Sequence, residues 1–192
     1  MEEGLSSEPA RRAPWKQPDL RPRDWLDAGQ SLLKRGGLKA LKLRPLADEL
    51  RVSTGSFYHH FPDFDAYQGR LADYFAEQQI EDLIAAVSRA EGDPIGRIRL
   101  LSGLVVRHRL ARLGLAMRAW GESDPRAKAA VDRHDDIVLG FLTRCLKEAG
   151  FAEHEASLRA YALIACGLGR IHAPHLRRGD LTEDLLRLLC TR

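Results

Sequence analysis

The sequence lacks the features that mark a membrane or secreted protein. No apolar run approaches the roughly 18 residues that a membrane span needs, and the N-terminus has no basic segment followed by an apolar one, as in a secretory signal. Only three cysteines occur among 192 residues, Cys145, Cys166 and Cys190, and their spacing suits neither a disulfide framework nor a metal site. We therefore expect a cytoplasmic protein with no membrane partner and with buried free thiols.

The usual catalytic signatures are missing as well. The chain has no glycine loop that would cradle a phosphate and no Ser or Cys nucleophile motif. His134-Asp135-Asp136 contains the HD pair of some metal-dependent phosphohydrolases, but three polar residues on a helix are more often a solvated face. We predict a protein that is not an enzyme, with no catalytic residues, metal or cofactor. The alternative is a metal-dependent hydrolase of HD type on an all-helical fold.

The basic charge that is present lies near the N-terminus. Residues 1–62 hold 11 Lys or Arg against eight Asp or Glu, whereas the remaining residues hold 19 of each. Residues 1–22 contain four prolines, a density typical of a disordered segment. This predicted disordered basic arm, residues 1–22, could follow a phosphate backbone or enter a minor groove, or it could be a flexible tail.

Three short helices are predicted after this arm. A first helix starts at Arg23, with an apolar stripe at helical spacing, and stops at Gly36-Gly37. A second helix covers 43–50, with Pro45 in its first turn. Ser53 is a natural N-cap for a third helix through His60. Two short helices joined by a tight turn form a helix-turn-helix, in which the second helix enters the major groove of DNA.

The composition of the third helix fits this role. Small residues at 54–56 would let the helix approach base edges closely, and their hydroxyls could donate or accept hydrogen bonds there. Tyr58 and His59 would reach phosphates or a thymine methyl from the next turn. Phe57 and Phe61 fall on the opposite face, where we expect them to pack against Leu46 and Leu50.

Residues 23–75 resemble the DNA-binding domain of TetR-family transcriptional regulators. The resemblance is carried by LRPLADELRVSTGSFYHHF, residues 43–61, whose core reads S-x-G-x-[aromatic/aliphatic]-Y-x-H-F. MRAWGESDPRAKAAV and CLKEAGFAEHEA extend it more weakly. The resemblance implies a ligand-responsive repressor that binds a palindromic double-stranded DNA operator as a homodimer. The expected DNA-binding residues are Lys42, Arg44, Ser53, Thr54, Gly55, Ser56, Tyr58, His59 and His60.

Two positions depart from the family pattern. Arg51 stands in the turn where the family usually has glycine, so it must tolerate or avoid a left-handed conformation. Phe64 replaces a lysine that is common at the start of the fourth helix, and the neighbouring Asp63 and Asp65 would repel phosphate. We therefore expect DNA affinity to depend on Lys42, Arg44 and the arm.

The rest of the chain is predicted to be helical, which makes the fold all-α. A helix-turn-helix domain, 23–63, would be joined by a long fourth helix, from about 63 to 89 without a break, to a helical effector-binding and dimerisation domain, 64–192. Breaks are expected at 92–94, 123–125, Gly150 and Pro174. The resemblance implies that this part binds a small-molecule effector of unknown identity and pairs two subunits. A dimer is also expected on physical grounds, because a protein that binds two half-sites of DNA at once has a much higher affinity than one that binds a single half-site.

Two sets of residues are candidates for these tasks. For the ligand pocket we select side chains on helices that would line a cavity, although such residues are more often simply core: His108, Met117, Trp120, Phe141 and Cys145. For the dimer interface we select a surface of small and aliphatic residues that could equally be an intramolecular core: Leu158, Tyr161, Ala162, Ala165, Leu168, Gly169, Leu185, Leu188 and Leu189.

Overall fold

A computed structural model describes residues 20–90, 92–108, 110–173, 175 and 182–191. The predicted arm lies almost wholly outside the described residues, as does Pro174. The described part is all-helical, which confirms the predicted fold class. The helices are α1 (Pro22–Gly36), α2 (Leu43–Leu50), α3 (Thr54–Phe57), α4 (Phe64–Ala76), α5 (Gln78–Arg89), α6 (Pro94–Arg107), α7 (Leu110–Gly121), α8 (Pro125–Glu148), α9 (Glu153–His172) and α10 (Thr182–Cys190), with a 3-10 turn at Leu38–Ala40.

The first two helices follow the sequence pattern closely. Helix α1 begins with Pro22 in its first turn and ends where Gly37 adopts a positive φ of 63°. Its predicted apolar stripe is buried throughout. At the end of α2, Arg51 takes the left-handed conformation, with φ 57° and ψ 40°, and its N–H donates to carbonyls of α2. The arginine therefore occupies the left-handed position that a glycine would favour.

The third helix is shorter than predicted. Regular α-helix covers only Thr54–Phe57, and residues 58–60 continue as turns in which each N–H bonds the carbonyl three residues back. Ser53 does occupy the N-cap position, but its hydroxyl makes no capping hydrogen bond; its backbone carbonyl accepts from the N–H of Ser56 at 3.1 Å. The N–H of Phe61 then bonds the carbonyl of Phe57 at 3.1 Å, four residues back, and the side chains of both residues are buried.

The predicted long fourth helix is interrupted, so that expectation was wrong. Glu77 departs from helical geometry, with φ −114° and ψ −73°, and separates α4 from α5. The apolar stripe of α4, Tyr67, Leu71 and Phe75, would continue at residues 78 and 79, but both are Gln. Ile80 is the next buried residue, and α5 buries only Ile80 and Val87.

The break coincides with the boundary between two cores. The first core contains Trp25, Leu33, Leu46, Phe57, Phe61, Tyr67, Leu71 and Phe75 from the N-terminal part, together with Leu113, Met117, Trp120 and Val131 from α7 and α8. The second core contains Val87, Ile98, Leu101, Phe141, Leu142, Cys145, Leu146, Phe151, Leu186 and Cys190. The N-terminal helices therefore share their core with two helices of the C-terminal part.

Two of the predicted breaks in the C-terminal part, at 92–94 and 123–125, lie at Asp-Pro pairs that start α6 and α8. The side chain of Asp93 accepts from the N–H of Gly96, and that of Asp124 accepts from the N–H of Arg126. Gly150, with φ 92°, follows the end of α8. The break between α6 and α7 was not predicted, because the sequence there has no Pro or Gly. No helix in the described part of the chain has the length and apolarity that a membrane span needs.

We expect Arg51→Gly to stabilise the fold, because glycine adopts the left-handed conformation without the steric cost that a Cβ atom imposes. The gain should be about 0.5–1 kcal/mol in the free energy of unfolding, which corresponds to about 1–4 °C in Tm for a chain of this size. Thermal and urea unfolding measure it. Arg51→Ala keeps the Cβ atom and serves as the control; equal stability of the Gly and Ala variants would contradict the prediction.

Candidate nucleic-acid interface and internal cavity

The start of α3 forms an exposed surface of small polar residues. Ser53, Thr54 and Gly55 are exposed, and so are Tyr58 and His59 in the turns that follow. A Cβ atom added at Gly55 would meet only the hydroxyl of Ser53, at 3.5 Å. The backbone at Gly55 is therefore accessible to another molecule.

Not every predicted DNA-binding residue is on this surface. Ser56 is buried, with 9% of its area exposed, so its side chain points into the protein. His60 is half-buried and its ring lies 6.1 Å from that of Trp25. Lys42 and Arg44 are exposed at the start of α2. Lys39, on the preceding 3-10 turn, is also exposed and was missed, because the short turn had not been predicted.

Aromatic packing holds this surface in place. Phe57 is fully buried, and its ring lies 5.5 Å from that of Trp25, 5.2 Å from that of Phe61 and 5.4 Å from that of Tyr67. The Tyr67 hydroxyl donates to the carbonyl of Trp25 at 2.9 Å, and burial raises the pKa of this hydroxyl. Phe57, Phe61 and Leu46 are buried in one core, and partly buried Leu50 packs against it, in agreement with the predicted inward face of Phe57 and Phe61.

The carboxylates at the start of α4 have partners. Asp63 caps the helix by accepting from the N–H of Ala66 at 2.7 Å. Asp65 forms a two-pronged ion pair with Arg126 of α8, at 3.0 and 2.8 Å. Further along, Arg133 donates to Asp73 at 2.9 Å. The negative charge of Asp65 is therefore opposed by an arginine from the other part of the chain.

A cavity of about 770 Å³ lies between α5, α6, α7, α8 and α9, and Phe75 of α4 also lines it. Most of its wall is aliphatic, formed by residues such as Leu83, Leu101, Val138 and Ile164. Cavities of this size and composition hold small organic molecules in other proteins. The exposed side chains of Val106, Arg112 and Leu115 belong to the same wall, so the cavity opens to the surface near the connection between α6 and α7.

A polar cluster interrupts the aliphatic wall. Arg118 donates to Asp135 at 2.8 Å, and Nδ1 of His134 lies 3.4 Å from the same carboxylate. Burial acts to raise the pKa of Asp135, but hydrogen bonds with His134 and Arg118 outweigh it and hold that pKa below its usual range. The His134 ring also stacks on Phe75, with centroids 4.7 Å apart and planes at 13°. The cluster thus connects the cavity wall to α4.

This arrangement corrects the interpretation of His134-Asp135-Asp136 as a solvated face. His134 and Asp135 are half-buried in the cavity wall, and only Asp136 is exposed. The partners lie on other helices, which a pattern along one helix cannot indicate. Among the residues that the structure describes, no three His, Cys, Asp or Glu side chains come together as a metal site. The hydrolase alternative therefore gains no support from this part of the chain.

The five residues selected for a ligand pocket do not line the cavity. Met117 and Trp120 are buried in the first core, Phe141 and Cys145 are buried in the second, and His108 is exposed at the end of α6. Burial raises the pKa of the Cys145 thiol, as expected of a packed thiol. Large buried side chains fill cores, whereas the cavity lies between the two cores. The cavity wall instead includes a charged residue among apolar neighbours, Arg118.

Five of the nine residues selected for a dimer interface are exposed. Leu158, Tyr161 and Leu188 are 56%, 67% and 73% exposed. Ala165 and Gly169 are also exposed, whereas four others are half-buried: Ala162, Leu168, Leu185 and Leu189. Leu168 belongs instead to the cavity wall. In the described chain, α9 therefore presents one apolar face that no other helix covers.

Comparisons with known proteins agree with this geometry. Residues 26–65 match the family model described as bacterial regulatory proteins, tetR family. A transcriptional regulator from Rhodococcus sp. Rha1 has 22% identity and a TM-score of 0.68, with 89% of this chain and 94% of that chain covered. Reduced NemR from E. coli has 19% identity and a TM-score of 0.71, with 88% and 95% covered. No curated protein matches the chain.

A third solved structure is FadR from Bacillus subtilis in complex with stearoyl-CoA. It has 16% identity and a TM-score of 0.59, with 89% of this chain and 98% of that chain covered. At such identities the solved structures show a common fold. Together with the family model, they confirm the resemblance inferred from residues 43–61.

Proposed function

We propose that this chain, whose residues 26–65 match the family model described as bacterial regulatory proteins, tetR family, is a ligand-responsive repressor of that family that binds a palindromic DNA operator as a homodimer. The observation that carries the proposal is the exposed N-terminal end of α3, held on a fully buried aromatic cluster around Phe57. Such a rigid, accessible helix end suits the major groove. The protein would act in the cytoplasm, where the operator lies.

The DNA contacts divide into two kinds. Thr54 and Gly55 would approach base edges, with Ser53 beside them, because they are exposed at the helix start. Tyr58, His59, Lys42 and Arg44 would contact phosphates from the flanking turns. Ser56 is buried and would support the helix from inside the protein. His60 is half-buried, so only the exposed part of its ring would contact DNA.

We propose the same three segments that the sequence predicts. Residues 23–63 would read DNA and residues 64–192 would bind effector and partner, with residues 1–22 as an arm. The cavity near Phe75 is the proposed effector site. Its support is its position, because the wall includes a residue of α4, the helix that packs against Phe57 and Phe61 through Tyr67. The complex of FadR with stearoyl-CoA makes an organic effector a reasonable expectation for this fold.

Effector binding in the cavity would be coupled to DNA binding through the interface between α4 and α8, called the seam below. A ligand that favours one position of Phe75 against His134 would shift α4 relative to α8, and the spacing of two α3 helices in a dimer would change. Because Glu77 breaks the helix, this shift cannot be the tilt of one stiff rod. Repression would weaken only by the ligand's differential affinity for the two states, typically about 1–3 kcal/mol.

We expect Gly55→Leu to weaken operator binding by more than about tenfold while Tm stays unchanged, because the new side chain would separate α3 from the base edges but meets no clash in the fold. The operator would be selected from random duplexes, and affinity measured by fluorescence anisotropy over a range of salt. Parent affinity should fall steeply with salt through counterion release.

Gly103→Leu is the matched control, because Gly103 is an exposed helical glycine with open space around it on α6. It should leave operator affinity unchanged. Unchanged affinity of the Gly55→Leu protein would remove α3 from the interface. A parent protein that selects no operator would refute the proposed function itself.

We expect Arg126→Gln to weaken operator binding about threefold, because it leaves the carboxylate of Asp65 without its arginine partner, and an unpaired negative charge at the start of α4 would repel DNA phosphates. Asp65→Asn in the same chain should restore the affinity, since it removes that charge. Anisotropy titrations at low salt measure both variants. Arg99→Gln breaks a comparable surface ion pair, with Glu183, far along the chain, and should have no effect. Failure of Asp65→Asn to restore binding would contradict this explanation.

Dimerisation is proposed to use the exposed face of α9 with α10. Helix α9 has 20 residues, yet only Ala156 and Ala160 are buried in the single chain. An apolar face of this extent is typical of a surface that another protein covers. A second copy is the occupant that a palindromic operator requires, because its half-sites lie about one helical turn, roughly 34–36 Å, apart.

We expect Tyr161→Glu to convert the dimer into a monomer, because two like charges would be buried against an apolar surface. Sedimentation velocity measures the change, and operator affinity should fall with it. Leu100→Glu is the control, since Leu100 is also an exposed large apolar residue, 40% accessible, but lies on α6. A dimer that persists in the Tyr161→Glu protein would exclude this face as the interface.

A further inference from the structure

The ionisable side chains of the cavity wall are unevenly balanced. Three arginines, Arg112, Arg118 and Arg170, line it, with one carboxylate, Asp135. That carboxylate is already bound by Arg118 at 2.8 Å, so it does not neutralise the other two arginines. The cavity is therefore apolar over most of its area and positive at its polar positions.

Arg170 is the cation best placed to meet a ligand. It lies on α9, is half-buried, and donates from Nη1 to the hydroxyl of Thr182 at 3.0 Å. In the part of the chain that the structure describes, no carboxylate pairs with it. A guanidinium has five N–H donors in a planar fork, so one bond to a hydroxyl leaves others to bind a carboxylate. Arg112, by contrast, is exposed at the opening of the cavity.

We propose that the effector of this protein is an amphipathic organic acid, with an aliphatic or aromatic body against the leucines and isoleucines of the wall and a single carboxylate bound by Arg170. This rests on the proposed function in one respect, namely that the cavity is the effector site. Charge-assisted, bidentate hydrogen bonds between guanidinium and carboxylate are strong where water is partly excluded. Ser102 and Gln79 supply further polar groups in the wall.

The charges of the cavity wall favour an acid over other ligand classes. A cationic amphiphile would place its charge beside Arg170 and Arg112, with only the occupied carboxylate of Asp135 to receive it. A neutral apolar molecule would fill the same volume but would leave the Arg170 donors without the acceptor they can accommodate. The acid should therefore bind more tightly than a neutral or cationic molecule with the same body.

The test compares three probes with one hydrocarbon body: decanoate, decan-1-ol and decyltrimethylammonium. Isothermal titration calorimetry with the full chain measures each below its micelle concentration. We expect decanoate to bind about tenfold more tightly than decan-1-ol, and the cation most weakly. Arg170→Gln should remove most of the preference for the acid while decan-1-ol affinity stays within about twofold. Arg112→Gln is the matched control and should keep the preference.

Several results would overturn the inference. These are equal binding of the acid and the alcohol, a preference that survives Arg170→Gln, or no binding of any probe. Arg170→Lys keeps the charge but not the fork, and should give an intermediate preference even if Arg170→Gln folds poorly. Operator titrations with each probe separate this from the proposed function. Binding of decanoate without operator release would refute ligand-responsive repression, and release by the cation alone would refute the ligand class.

Discussion

The buried hydroxyl of Tyr67 ties together the three helices on which the N-terminal part depends. Its bond to the carbonyl of Trp25 joins α4 to α1, while its ring packs on Phe57 and Phe61, which position α3. The hydroxyl lies so close to Gly29 that a Cβ atom there would come within 1.9 Å of it. The hydrogen bond of the Tyr67 hydroxyl therefore requires a glycine at position 29. Because the Tyr67 ring also packs on Phe57 and Phe61, this pair of residues helps to orient the exposed end of α3.

The seam between α4 and α8 combines two kinds of contact. Apolar side chains, Leu71 and Phe75 on α4 with Val131 on α8, lie inside it, and ion pairs from Arg126 and Arg133 lie along its edge. Exposed ion pairs of this kind each contribute little to stability, about 0–1 kcal/mol. They can nonetheless favour one alignment of the two helices over another, because each ion pair forms only when its two residues lie opposite each other.

The sequence predicted those parts of the fold that local chemistry determines. Asp-Pro pairs start α6 and α8 because a carboxylate caps the helix and proline suits its first turn. The break at Glu77 has no such local cause, since it reflects the change from one core to the other, and it was missed. The cavity was missed for the same reason. Its wall joins side chains from six helices, and their proximity exists only after folding.

The first core passes from the N-terminal helices into α7 and α8 without interruption. This has a consequence for the design of chimeric regulators, in which the helix-turn-helix segment of one protein is replaced by that of another to change the operator. A junction after residue 63 would leave Leu113, Met117 and Trp120 packed against side chains from a foreign protein, in a space shaped for Trp25 and Leu33. A segment exchanged at residue 63 would therefore need matching core residues on α7 and α8. The helix-turn-helix is continuous in sequence, but its core is not confined to that stretch of sequence.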